Sequence, residues 1–143
     1  MNSPLEAWHK GIETSKISNL DEILDKNVVF YSPIVFKPQK GKAITRAYLT
    51  AAFNTFKDTN FHYVKELVDE NQAIMEFNAE IDGILIDGVD IITWNEQGKI
   101  TEFKVMVRPF RAIEKVGEKM KEQLNKLGTL DKLKIGASKL FGK

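Results

Sequence analysis

Hydrophobic and polar positions alternate most regularly between residues 72 and 94. In "QAIMEFNAEID" the odd-numbered positions from 73 to 81 are all apolar, whereas 76, 78 and 80 are polar. This period of two is typical of a strand with one buried face. Asp82-Gly83 is a strong hairpin-turn signal, and "ILIDGVDIITW" forms the next strand. A turn at "NEQG" then leads to a last strand, "KITEFKVMVRPF", which completes a predicted antiparallel meander.

Before this meander the apolar period is mostly helical. "SPLEAWHKGIETSK" places its large apolar residues on one face and begins with a capping box from Ser3 to Glu6. A short helix is predicted near 20–24, and "AITRAYLTAAFNTFK" predicts a third. Between them "NVVFYSPIVF" resembles a strand interrupted at Pro33, and "KPQKGK" reads as a loop. The order predicts an α+β fold, with the N-terminal helices packed on the concave face of a curved antiparallel sheet.

The residues after 110 form a distinct segment. Residues 1–110 carry a net charge of −4, whereas residues 111–143 carry +5. We therefore predict a domain at 1–110 and a C-terminal amphipathic helical extension at 111–143. The first helix of this extension is "RAIEKVGEKMKEQLNKLG", with Gly128 as its C-cap, and "TLDKLKIGASKLFGK" could form a second.

The extension is predicted to pack over the sheet, the mouth of a pocket or a partner subunit. Contact with an anionic membrane surface is the less favoured alternative, because glutamates interrupt its basic face. Nucleic-acid binding is not expected, since the charge is modest and no aromatic residues are interleaved with the lysines.

Composition excludes several kinds of site. The 143 residues suffice for one core, and the absence of cysteine rules out disulfides and thiolate metal ligands. His9 and His62 have no metal-ligand spacing, and there is no glycine-rich phosphate loop, so no metal or cofactor is predicted. Neither a signal peptide nor an apolar run of spanning length is present, which leads us to expect a cytoplasmic protein.

Three stretches carry a resemblance to a known family: "NVVFYSPIVFKPQKGKAITRAYL", "EIDGILIDGVDIITWNEQGKITEF" and "VMVRP". They resemble the SnoaL-like branch of the nuclear-transport-factor-2-like superfamily over about residues 5–110. The resemblance implies a cone-shaped domain with a mostly apolar internal pocket, and a homodimer formed through the outer face of the sheet. That scaffold hosts isomerases, cyclases, hydrolases, dehydratases and non-catalytic binding proteins, so it does not fix the function.

Asp90 is the most unusual residue of the meander. Alternation places it on one face with Ile86, Gly88, Ile92 and Trp94, although it does not say whether that face is internal. A carboxyl among these side chains would lose hydration, so its pKa should rise and it could donate a hydrogen bond. Alternatively, Asp90 is a purely structural acid bonded to Trp8, Ser32 or a backbone amide.

The resemblance extends distantly to ketosteroid isomerase. Asp90 then falls on the protonated acid of the oxyanion hole, with room beside it at Gly88. The general-base aspartate of that enzyme falls on Ser32, and its oxyanion tyrosine falls on Trp8. Serine is a poor proton acceptor and indole is not a phenol-like acid, so the pattern argues against steroid isomerisation itself.

From these observations we predict a protein that binds a small, mostly apolar molecule in an internal pocket. Asp90 is the candidate catalytic acid, and the reaction would be an isomerisation, a cyclisation or a hydration. A non-catalytic carrier or sensor, and a dimerising interaction module, remain as alternatives. A lone histidine, such as His9 or His62, more often has a structural role than a catalytic one. The predicted ligand-binding residues are Trp8, Ser32, Tyr48, Phe77, Trp94, Phe103 and Val105.

Overall fold

The structure is a computed structural model that describes residues 3–14, 16 and 18–126. Within them the helices are α1 (Leu5–Thr14), α2 (Leu20–Ile23), α3 (Lys42–Phe56) and α4 (Phe110–Asn125). The strands are β1 (Leu24–Tyr31), β2 (Gln39–Lys40), β3 (His62–Asp69), β4 (Gln72–Ile81), β5 (Ile84–Trp94) and β6 (Ile100–Arg108). This arrangement confirms the predicted α+β class.

The strands form one curved, open sheet in the order β2-β1-β6-β5-β4-β3. β3 to β6 are a continuous antiparallel meander, as alternation predicted. β1 instead pairs with β6 in parallel, which the sequence pattern did not indicate. Parallel neighbours need a long connection, and here the segment from β2 to β5 supplies it.

Two local details near Pro33 differ from the expectation. β1 ends at Tyr31, before Ser32-Pro33, so the proline lies outside the ladder, where its missing N–H costs no strand hydrogen bond. The predicted loop "KPQKGK" contains the short strand β2, which pairs antiparallel with β1 through Val29 and Phe30. This two-residue strand lacks the alternation that would have identified it.

The core lies between the helices and the inner face of the sheet. α3 packs on β1 and on α4, and α4 also contacts β5 and β6. The buried face of α4 consists of Ala112, Val116, Met120 and Leu124. At least the first helix of the extension therefore shares the core of the domain, while the division at 110/111 stays a prediction. Gly128 and the second predicted helix lie outside the described residues.

Ion pairs also attach α4 to the β4–β5 hairpin. The carboxylate of Asp82 lies 3.3 Å from Lys115 Nζ and 3.4 Å from Lys119 Nζ. Both lysines lower the pKa of Asp82, mainly through hydrogen bonds to its carboxylate. Asp82 and Gly83 have φ values of 50° and 80°, as expected for the tight turn that Asp-Gly favours. No helix in the described part of the chain is long and apolar enough to cross a membrane.

Candidate functional site

The inner face of β5 carries Asp90 into the core. The side chains of β5 alternate between buried and partly exposed positions, and Asp90 is only 6% exposed. Across the neighbouring strands it lies opposite Met75 of β4 and Val105 of β6. The face that holds Asp90 is thus the internal one, which alternation alone could not decide.

Two aromatic side chains form a hydrogen-bonded chain that ends at Asp90. The indole Nε1 of Trp8 donates to Tyr63 Oη at 2.9 Å, and Tyr63 Oη donates to Asp90 Oδ2 at 2.6 Å. Indole N–H can only donate, so the phenol oxygen accepts from it, and an ionised Asp90 carboxylate can only accept, so the phenol O–H donates to it. With Asp90 ionised, the chain of donors therefore runs from α1 through β3 to β5.

Burial changes the acidity of Asp90 and Tyr63, the two ionisable groups in this hydrogen-bonded chain. Loss of hydration raises the pKa of Asp90 to about 7, and the hydrogen bond from Tyr63 partly opposes that rise. The pKa of Tyr63 is well above its usual value, first because of burial and then because of the nearby Asp90 carboxylate. Near neutral pH Asp90 can therefore hold or release a proton, which is what a general acid or base requires.

The space beside Asp90 on β5 is occupied. Gly88 pairs with Phe77 of β4, and a Cβ at Gly88 would lie 2.2–2.7 Å from the Phe77 ring. The room beside Asp90 that the resemblance implied at Gly88 is thus filled by an aromatic ring. Glycine at this position leaves room for the outer end of the Phe77 ring.

A cavity of about 250 Å³ opens between α1, α3 and the inner face of the sheet. Lys57, Asp58 and Asn60, all exposed, lie at its polar rim. The remaining lining is apolar apart from Asp90, and consists of Trp8, Ile12, Phe30, Leu49, Ala52, Phe53, Phe56, Phe61, Phe77, Phe103 and Val105. A cavity of this composition suits a small apolar molecule that carries one polar group.

The predicted site residues divide into three groups. Five of them line this larger cavity together: Trp8, Phe77, Asp90, Phe103 and Val105. Ser32 and Tyr48 line a smaller neighbouring cavity beside α4. Trp94 is 2% exposed in the core and lines neither of the two cavities.

Ser32 and Tyr48 both have evident structural roles. Ser32 Oγ accepts hydrogen bonds from the amides of Ile34 and Val35, at 2.9 and 3.2 Å, and so stabilises the turn after β1. Tyr48 stacks on Phe30 with ring centroids 5.0 Å apart, and burial raises the pKa of Tyr48 to about 12. Neither side chain lines the cavity that contains Asp90.

Sequence reasoning missed Tyr63 as the partner of Asp90. Its register against Phe77 places it on the inner face, but an irregularity between Tyr63 and Lys65 disturbs the alternation of β3. The nearby histidines make other contacts: His9 pairs with Glu66, and His62 Nδ1 bonds to the Asn60 carbonyl. No cluster of three or more His, Asp or Glu residues in the described ranges could hold a metal ion.

Comparison with known families places this geometry in context. The model of the SnoaL-like domain matches residues 5–103, which is more than half of the chain. The chain belongs to the SnoaL-like domain family. This membership confirms the fold family predicted from the three resembling stretches. No curated protein matches the chain significantly.

Solved structures of SnoaL-like and related proteins share its architecture. A steroid delta-isomerase from Pseudomonas aeruginosa is 32% identical, with a TM-score of 0.80 over 85% of this chain and 88% of that one. A protein with a cystatin-like fold from Silicibacter pomeroyi is 23% identical, with a TM-score of 0.82 over 94% and 93%. SalBIII, an epoxide hydrolase/cyclase-like enzyme of pyran ring formation, is 14% identical, with a TM-score of 0.59 over 73% and 87%. The last two similarities concern the fold alone.

Proposed function

We propose that this SnoaL-like protein binds a small, mostly apolar molecule in the larger cavity and transfers a proton through Asp90. The carboxyl contacts a carbonyl or hydroxyl oxygen of the ligand. The reaction is an isomerisation, a cyclisation or a hydration, all of which need a proton moved at an oxygen or at a carbon beside it.

The observation that carries the proposal is the carboxyl of Asp90 in an otherwise apolar wall. Its Oδ2 accepts from Tyr63, which leaves Oδ1 for a ligand. With a pKa of about 7, Oδ1 can donate to a ligand oxygen when protonated and accept a proton when ionised. The steroid delta-isomerase at 32% identity is consistent with proton-transfer chemistry on this scaffold.

A non-catalytic carrier is the second candidate, and the position of Ser32 favours it. Ser32 Oγ is engaged with two backbone amides in the turn after β1, and it does not line the cavity of Asp90. Within the described residues, that cavity therefore has a single buried ionisable side chain. A carrier would use Asp90 only to orient the oxygen of its cargo.

Asp90→Asn separates the two functions. The protein is first purified without denaturation, and native mass spectrometry of the intact complex identifies any retained molecule by its mass. That compound is then tested for turnover and affinity. In an enzyme, Asp90→Asn abolishes turnover because the amide cannot exchange the proton. In a carrier, affinity stays within a few fold.

Asp87→Asn is the matched control, since it makes the same change on the opposite face of β5. It should leave both turnover and affinity nearly unchanged. Equal losses in the two variants would contradict a specific role for Asp90.

The homodimer expected from the sequence stays a proposal. The outer face of the sheet exposes apolar residues on the four adjacent strands β3 to β6. They are Leu67, Ile74, Leu85 and Met106, which are 61%, 45%, 70% and 54% exposed. A second copy could cover this patch. The same native mass spectrum reports the number of subunits.

A further inference from the structure

A second, smaller cavity adjoins the one that contains Asp90. Its volume is about 30 Å³, and its walls include Val107 of β6 together with Val116 and Met120 of α4. Four residues line both cavities: Phe30, Ala52, Phe56 and Val105. The two spaces are thus separated by single side chains, one of which is the short methyl of Ala52.

The position of the smaller cavity relative to Asp90 follows from the strand register. Val105 lies directly opposite Asp90, and Val107 is the next inward-facing residue of β6 toward α4. Val107 is therefore a diagonal neighbour of Asp90, at a distance of roughly 7–8 Å between Cα atoms. A ligand whose oxygen contacts Asp90 would reach the smaller cavity with the carbons at its far end.

The walls of the smaller cavity are suited to hydrocarbon. Apart from Ser32 and Tyr48 they consist of apolar side chains, which offer good contacts to an alkyl group and few hydrogen-bond partners to water. Its volume matches roughly two water-sized groups, which is room for about two carbons. An aliphatic branch would make van der Waals contacts with these walls.

We propose that the smaller cavity is a subsite for a short aliphatic branch of the ligand, and that α4 determines the length of that branch. The inference rests on the proposed function and specifies its ligand class: an apolar molecule with an oxygen at one end and a short alkyl group at the other. α4 begins at Phe110, beyond residue 103, where the match to the family model ends.

Phenol and its 4-alkyl derivatives, from methyl to hexyl, are the probes, and isothermal titration calorimetry measures their affinities. Each carries a hydroxyl for Asp90 and a chain at the opposite end of the ring. In the parent, affinity should rise about fourfold per carbon that enters the subsite and then level off. Val116→Phe should remove this gain, so that 4-propylphenol loses at least tenfold while phenol stays within threefold.

Met120→Ala makes the opposite change on the same helix. It enlarges the subsite, so the rise in affinity should continue for at least one more carbon than in the parent. Ile113→Phe is the control for an added aromatic ring on α4, because Ile113 is half-buried and lines neither cavity. It should leave the whole alkyl series unchanged.

The outcomes distinguish failure of this inference from failure of the proposed function. If phenols bind the parent but Val116→Phe and Met120→Ala leave the dependence on chain length unaltered, the subsite assignment is wrong and the main site stands. If no phenol binds the parent at all, the proposed ligand class fails, and the subsite fails with it.

Discussion

Asp87 and Asp90 lie three residues apart on one strand and have opposite environments. Asp90 points to the inner face, among aromatic rings, where burial raises its pKa to about 7. Asp87 points to the outer face, where Arg108 donates to it at 2.9 Å and Asn78 at 3.1 Å. Arg108, through this hydrogen bond, is the main reason why the pKa of Asp87 lies below its usual value.

The contrast shows that the face of the sheet, rather than the residue type, decides what a carboxyl can do. On the outer face, partners that stabilise the charge outweigh a small loss of hydration, so Asp87 is an anion at neutral pH. It even raises the pKa of Glu76, chiefly through a side-chain hydrogen bond. On the inner face, one neutral donor does not replace the lost water, so Asp90 titrates near neutrality.

The largest effects on stability should come from replacing Asp90 or Asp87 by asparagine, which removes one of the two charges at a time. The pKa of Asp90 is higher in the folded than in the unfolded chain, so its contribution to stability is greatest below about pH 4 and declines until about pH 7. The total decline is about 4 kcal/mol, from a pKa difference of about 3 at 1.36 kcal/mol each. Asp90→Asn should therefore stabilise the fold at pH 8 and have little effect at pH 4.

Asp87→Asn should change stability in the other direction. Its lowered pKa means that its contribution is present at neutral pH and is lost as the pH falls through that lowered value. The variant should thus be less stable than the parent at pH 8. Urea unfolding of both variants from pH 4 to 8 makes the comparison, and changes of the same sign at pH 8 would show that the two faces do not differ as described.

A smaller effect on stability is expected when the size of a side chain is changed on either face of β5. Gly88→Ala inserts a methyl against the Phe77 ring, where the closest approach of the new Cβ would be 2.2 Å. Overpacking of this kind costs about 1–3 kcal/mol of unfolding free energy. Leu85→Ala, on the outer face at 70% exposure, should stay within about 0.5 kcal/mol. Thermal unfolding measures both, and an unchanged Gly88→Ala would mean that Phe77 can move away.

The architecture was predictable because it depends on local periodicity. The alternation of residues 72–94 and the Asp82-Gly83 turn determine the β4–β5 hairpin, and the i, i+3, i+7 pattern of Leu5, Trp8 and Ile12 determines α1. The parallel pairing of β1 with β6 was not predictable in this way, since it joins segments about seventy residues apart and leaves no periodic signal in either.

The site was predictable only in part, for a related reason. Alternation placed Asp90 with Ile86 and Ile92, but the choice of inner face depends on where α1 and α3 pack. Tyr63 escaped because the irregularity in β3 hides its register, and its role depends on a contact with Trp8 across 55 positions. Which side chains share a cavity is a tertiary property, as Ser32 and Trp94 show.

The smallest predicted effect concerns the donors that distinguish the two carboxyls. Tyr63→Phe removes the one described hydrogen bond that lowers the pKa of Asp90, so that pKa should rise above 7 by about one unit. Arg108→Gln is the counterpart on the outer face and should raise the pKa of Asp87 toward its ordinary value. Carboxyl ¹³C chemical shifts followed against pH report each group separately. An unchanged Asp90 titration in Tyr63→Phe would mean that burial alone sets its acidity, and that Trp8 and Tyr63 only hold the carboxyl in place.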